Sequence, residues 1–224
     1  MVVKMGITTV VMTYPKRYRE GKKLSEELNC LLSVDVKSEG AFIGSILGWE
    51  KTLTIANSHC MLLQDDIEPC PDFYTAVEHV ISSKPNSPIS LFNRISDALS
   101  IQKQGISFLE MEFYSQGPAW IIPSEIVKHM VMWIPRNLRK LPFSDPAYAL
   151  YFYYQKIPVL VALPSLVQHT GTAATSYKKN VASGCRASYV CPNGATEFFS
   201  GKTLQVAKNE KEMEWLNNFN MYKR

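Results

Sequence analysis

The chain has 224 residues, 46% of them hydrophobic and 20% charged, and a formal net charge of +4. That length and composition suit one α/β domain with a substantial core, and they exclude disordered and fibrous chains. The mild positive balance suits a polyanionic ligand such as a nucleoside diphosphate and permits a nucleic-acid acceptor, but requires neither.

In chain order, strands and helices alternate, which predicts an α/β sandwich around a mainly parallel sheet. Ile7–Thr13 is β-branched and apolar and reads as a buried first strand. The basic stretch Lys16-Arg17-Tyr18-Arg19 follows, then a helical pattern through Leu24, Leu28 and Leu31. Val34-Asp35-Val36 predicts a short second strand. Gly40 and Gly44 punctuate the next loop, and Ile46, Trp49, Leu53 and Ala56 mark a helix face. The apolar run 60–64 stops abruptly at Asp65-Asp66. Phe73, Val77, Val80 and Ile81 predict a helix, and residues 89–92 a strand. Residues 106–113 alternate like a half-exposed strand, and residues 118–122 form another.

Ser124 is placed to cap a helix carrying Ile126, Val127, Met130 and Val131, with Glu125 in its first turn. Asp145-Pro146 opens a helix with the aromatic residues Tyr148, Tyr151, Phe152 and Tyr154. Residues 157–163 predict a late strand. Residues 210–222 predict a helix with an acidic start and Lys223-Arg224 at its end, as the helix dipole favours.

The five cysteines form no CxxC pair, so neither a disulfide framework nor a zinc site is expected. Cys60 reads as a small buried hydrophobe, and a Cys185–Cys191 pair is the minor alternative. No stretch has the length of a membrane span, and Met1-Val2-Val3-Lys4 begins no signal peptide. The expectation is a cytoplasmic protein, in a host cytoplasm if phage-encoded.

Asp65-Asp66 is the main chemical signal. Two adjacent carboxylates at the carboxyl end of a strand repel each other unless a cation offsets them. In an open α/β sheet, that edge binds ligands. One reading is a Mg²⁺ or Mn²⁺ site that holds a diphosphate. The other is a solvated turn in which Asp66 caps a neighbouring segment.

With the first strand, Arg17 and Gln64-Asp65-Asp66 in this order, the chain resembles glycosyltransferases of the GT-A fold over residues 5–172. Gln64 departs from the family's DxD pattern at its first position. The resemblance implies a single GT-A (Rossmann-like) α/β/α domain over residues 1–224. Residues 1–115 would form the nucleotide-sugar half and residues 116–224 the acceptor half. It implies Asp66 as ligand of Mn²⁺ or Mg²⁺, and Asp65 toward the ribose or sugar. Thr13, Arg17, Asp35 and Gly117 would join the nucleotide-sugar site. Gln116-Gly117-Pro118-Ala119-Trp120 is similar to the family's acceptor-side segment, although a plain turn explains it as well. Asp145 stands where the family places its catalytic acid, the base of inverting members; it is equally an N-cap before Pro146. Pro164-Ser165-Leu166-Val167-Gln168-His169-Thr170-Gly171 is similar to a closing segment whose His contacts metal or diphosphate. His59, His79 and His129 read as structural or solvated.

The resemblance implies a nucleotide-sugar donor. The acceptor would be a glycan, a protein or a hydroxymethylated DNA base of phage type. Lys178, Lys179, Arg186, Lys202, Lys208, Lys211, Lys223 and Arg224, with Tyr177 and Tyr189, form a basic stretch that suits such DNA, or a solvated surface. Two other classes remain. One is a non-catalytic nucleotide- or glycan-binding module. The other is a sugar nucleotidyltransferase, which needs a glycine-rich loop where this chain has Tyr14-Pro15-Lys16-Arg17.

Overall fold

β1 (Ile7–Thr13) is buried on both faces, as an interior strand of a covered sheet must be. The computed structural model describes residues 6–55, 57–139, 141, 145–170, 187, 190–191, 199 and 201–206, without the side chains of residues 145 and 146. Beside β1 lie β2 (Leu31–Val34) and β3 (His59–Gln64), both parallel to it. β7 (Ala119–Pro123) runs antiparallel to β3 and to β5 (Ile89–Ser90). β8 (Val159–Ala162) is parallel to β5, β6 (Ile106–Met111) antiparallel to β8, and β10 (Lys202–Gln205) parallel to β6. The sheet order is β10-β6-β8-β5-β7-β3-β1-β2, eight strands in a mainly parallel arrangement. A second, two-stranded sheet pairs β4 (Ile67–Pro69) with β9 (Val167–His169).

Helices cover both faces, giving the expected Rossmann-like α/β/α layers. α2 (Ala41–Thr52), α5 (Ser124–Asn137) and α6 (Asp145–Tyr154) pack on one face. α1 (Tyr18–Glu27) and α3 (Phe73–Ser83) pack on the other, and the short α4 (Ala98–Gln102) precedes β6. Each strand divides its side chains with period two. Cys60 and Leu62 face α2 and α5, while Met61 and Leu63 face α1 and α3. Among the described residues, no helix is long and apolar enough to cross a membrane.

Several boundaries differ from the sequence pattern. The first helix ends at Glu27, not Leu31, because Asn29 takes a left-handed φ of 49° and Leu31 opens β2. Asp35 therefore follows β2. β6 was expected to be half-exposed, yet Ser107, Phe108 and Leu109 are all buried, because layers cover both sides of the sheet. Ser124 does not cap α5. Its hydroxyl donates to Asn57 Oδ1 instead, and Pro123 occupies the cap position. β4 had no sequence signal of its own. The helix expected over residues 210–222 lies outside the described residues, as does Cys185, while Cys191 is buried.

Candidate functional site

Two parallel strands end side by side and deliver the site. β1 stops at Thr13, and a 3-10 turn (Pro15–Arg17) brings Arg17 back over the strand end. β3 stops at Gln64, so Asp65 and Asp66 emerge at the same edge. Thr13 Oγ1 donates to Asp65 Oδ2 at 2.5 Å. Arg17 Nε lies 3.3 Å from Asp65 Oδ1, and its Nη1 donates to Asp66 Oδ2 at 3.1 Å.

His169 arrives from far along the chain. β9 pairs with β4 so that His169 stands opposite Ile67, the residue after Asp66. Thr170 fixes this register by donating its N–H and its hydroxyl to the Asp66 carbonyl, at 2.9 and 3.0 Å. His169 Nε2 then lies 3.2 Å from Asp66 Oδ2.

Burial makes these charges matter. Asp66 is 5% exposed, so it is not a solvated turn residue. Burial alone would raise its carboxyl, but hydrogen bonds and charge from His169 and Arg17 outweigh that and hold it below the ordinary carboxylate value. Asp65 goes the other way. Burial pushes it up to about 6, against the pull of Thr13 and Arg17. The two neighbours thus differ because Asp66 contacts both His169 and Arg17, whereas Asp65 has Thr13 and Arg17.

The remaining expected residues divide. Asp35 is buried at the same edge, its N–H donating to the Thr13 carbonyl at 2.9 Å. Its Oδ2 accepts the N–H of Gly40 at 3.0 Å and so fixes the turn into α2, where Gly40 has φ 106°. Gly117 is required by packing: a Cβ there would fall 1.7 Å from Trp120 Nε1. Asp145 is the first residue of α6, and its side chain lies outside the described residues, as does the basic stretch around Lys178. His59 and His129 are structural, the first bonded to the Pro85 carbonyl and the second to the Tyr151 hydroxyl.

The sequence pattern missed Tyr14 and Asn93, and it read Gln116 only as part of the segment before β7. Tyr14, directly after β1, has its hydroxyl in the field of Arg17, Asp65 and Asp66. Asn93 Oδ1 and Gln116 Oε1 are buried without a hydrogen-bond partner among the described residues, as are Asp66 Oδ1 and His169 Nδ1. A buried polar group left unpaired costs about 1–3 kcal/mol, so these four atoms are positions where a ligand would find hydrogen-bonding partners. Their shared signal is position: each follows a strand at its carboxyl end or precedes antiparallel β7.

The donor set fits a hard divalent cation only with help. Such ions often take one or two carboxylates and complete their shell with substrate phosphate oxygens and water. Among the described residues, no three His, Cys, Asp or Glu side chains form a cage. Asp66 Oδ1 and His169 Nδ1 are the unpartnered atoms at hand. His169 faces Asp66 through Nε2, so its Nδ1 points away, and Asp66 Oδ1 is the atom open to a cation that a phosphate-bearing ligand would complete.

No protein-family profile matches the sequence, and no curated protein matches it. Among solved structures, the chain is similar to A197 from STIV, with a TM-score of 0.46 and 8% identity over 91% of this chain and 98% of that one. It is similar to a mannose-1-phosphate geranyltransferase from Thermus thermophilus, with a TM-score of 0.36 and 8% identity over 70% and 74% of the two chains. It is also similar to a glycosyltransferase involved in the glycosylation of the major capsid of PBCV-1, with a TM-score of 0.35 and 14% identity over 70% and 81%.

Proposed function

We propose that the chain is a glycosyltransferase that takes a sugar from a nucleoside diphosphate and moves it to an acceptor hydroxyl, with inversion. The observation that carries this reading is the convergence of Asp65, Asp66, Arg17 and His169 at the carboxyl edge of β1 and β3. That crevice is where open α/β sheets bind ligands. The unpartnered Asp66 Oδ1 supports it, and so does the order of the sequence motifs.

In this reading, Asp66 and His169 hold Mn²⁺ or Mg²⁺. The bound cation supplies Lewis-acid charge against the negative charge that builds on the departing diphosphate. Thr13 keeps Asp65 oriented toward the ribose or sugar hydroxyls, and Arg17 pairs with the diphosphate. Asp35 supports the base of the nucleotide pocket through its link to Thr13. Asp145 accepts the proton of the acceptor hydroxyl. The acceptor oxygen bonds to the anomeric carbon, and the bond from that carbon to the diphosphate oxygen breaks on the opposite face. Asp145 opens α6 one turn before Tyr148, whose ring centroid is 6.2 Å from that of Trp120 near the start of β7. The acceptor is a hydroxyl of a glycan, a protein or a hydroxymethylated DNA base. Salt-sensitive duplex binding separates the last from the other two.

The test is calorimetric titration with UDP and with GDP, with and without Mn²⁺, on wild type and Asp66→Asn. Metal-dependent binding of one nucleotide, lost in the variant, is expected. No binding of either under any condition removes the reading. Binding with no turnover for any acceptor class would leave a nucleotide-binding module instead.

A further inference from the structure

Arg17 is buried between two carboxylates. It touches Asp65 Oδ1 through Nε and Asp66 Oδ2 through Nη1. Thr13 occupies Asp65 Oδ2, and His169 shares Asp66 Oδ2. Of the four carboxylate oxygens, only Asp66 Oδ1 has no partner among the described residues. One of the pair's two negative charges is therefore offset from inside the chain, by a side chain whose charge is permanent.

This arrangement opposes a second cation. A hard divalent ion seeks about six oxygen ligands, and one free carboxylate oxygen beside a guanidinium offers a poor start. The ion reaches both carboxylates only when Arg17 leaves them. A buried guanidinium does not leave two carboxylates without another anion to receive it. A diphosphate is such an anion, since its oxygens accept parallel N–H bonds from the guanidinium fork.

We infer that Arg17 is a resident counter-ion that a divalent cation and a diphosphate displace together, so that each binds strongly only when the other is present. The identity of the anion rests on the donor-site reading above; the counter-ion role of Arg17 does not. By linkage the coupling is reciprocal: whatever factor the diphosphate adds to cation affinity, the cation adds to diphosphate affinity. Without donor, the site stays closed to free metal.

The first experiment measures Mn²⁺ binding by electron paramagnetic resonance, without nucleotide, for wild type, Arg17→Gln and Arg17→Lys. Circular dichroism and thermal melting check each fold first. Wild type and Arg17→Lys should bind Mn²⁺ weakly. Arg17→Gln should bind about tenfold tighter or more, through loss of one competing charge, and Asp66→Asn in that background should abolish the gain. Wild type binding free Mn²⁺ as tightly as Arg17→Gln overturns the inference, and so does Arg17→Lys behaving like Arg17→Gln. A measurement on unmodified protein guards against misfolded variants. The Arg17 Nε–H resonance in a ¹⁵N spectrum should move when Mg²⁺ and UDP or GDP are added together, and stay with either alone. A shift with Mg²⁺ alone overturns the inference. If Arg17→Gln gains the Mn²⁺ site while no form binds UDP or GDP, the counter-ion role stands and the donor reading falls.

Discussion

His169 Nε2 meets Asp66 Oδ2 at 3.2 Å because β9 pairs with β4 in a register that sets His169 against Ile67. The contact joins the late part of the chain to the end of β3, and Phe92 packs edge-on to the His169 ring at 6.3 Å. His169→Ala should therefore cost stability as well as ligand binding. Asp66 keeps Arg17 but loses a charge-assisted hydrogen bond, worth about 1.5–3 kcal/mol. Chemical denaturation should show that loss, and His169→Asn, which keeps a donor, should show less.

His59 gives a pH signature unconnected with the site. Its Nε2–H donates to the Pro85 carbonyl at 2.8 Å, and Ser58 Oγ lies 3.0 Å from Nδ1. Burial lowers its pKa from 6.5, and the Pro85 contact only partly offsets that. The unfolded chain therefore binds this proton first as pH falls. Stability from neutral His59 is complete above 6.5 and is lost as pH falls from there through the folded value. Between about pH 7.5 and pH 5, wild type should lose more melting temperature than His59→Gln. Equal losses would contradict the burial argument.

Much of this was legible in the residues. The runs at 7–13, 60–64 and 157–163 fixed three strands, because a strand covered on both faces must be apolar on both. The carboxylates at the end of one such run marked the edge. Other features depend on partners distant in sequence. That Ser124 bonds Asn57 instead of capping α5 follows from β3 and β7 lying side by side. Arg17 looked like a ligand for phosphate, and nothing local to it showed that Asp65 and Asp66 would claim its guanidinium. Asn93 carries no motif, and only the sheet order brings it to the carboxyl edge beside Gln116.

The thiols should be chemically quiet. Burial pushes Cys30 up to about 12 and raises Cys60, while the neighbouring Cys191 thiol and burial raise Cys70. Alkylation needs the thiolate. Iodoacetamide at about pH 8, followed by peptide mass mapping, should label these three at least roughly a hundredfold more slowly in native than in denatured protein. Fast native labelling of Cys30 would mean that its site opens readily.

Gly117 separates a packing role from a ligand role. A Cβ at this position would lie 1.7 Å from Trp120 Nε1 and 2.5 Å from Cε2. The indole has little room to yield, being 1% exposed and stacked on Phe152 at 5.8 Å, with Tyr114 at 6.1 Å. Gly117→Ala should destabilise by about 1–3 kcal/mol through overpacking. Trp120 Nε1 has no hydrogen-bond partner among the described residues, so Trp120→Phe forfeits no protein bond and leaves space where the new methyl would fall. The double variant should therefore lose less than the sum of the two single losses, with a coupling of about 0.5–3 kcal/mol. Nucleotide titration of the double variant then decides what the glycine is for. If stability and UDP or GDP affinity recover together, Gly117 serves the indole alone. If stability recovers while affinity stays low, and Trp120→Phe alone binds as wild type does, the missing side chain also leaves room for the donor, because the added methyl is then the one change that lowers affinity.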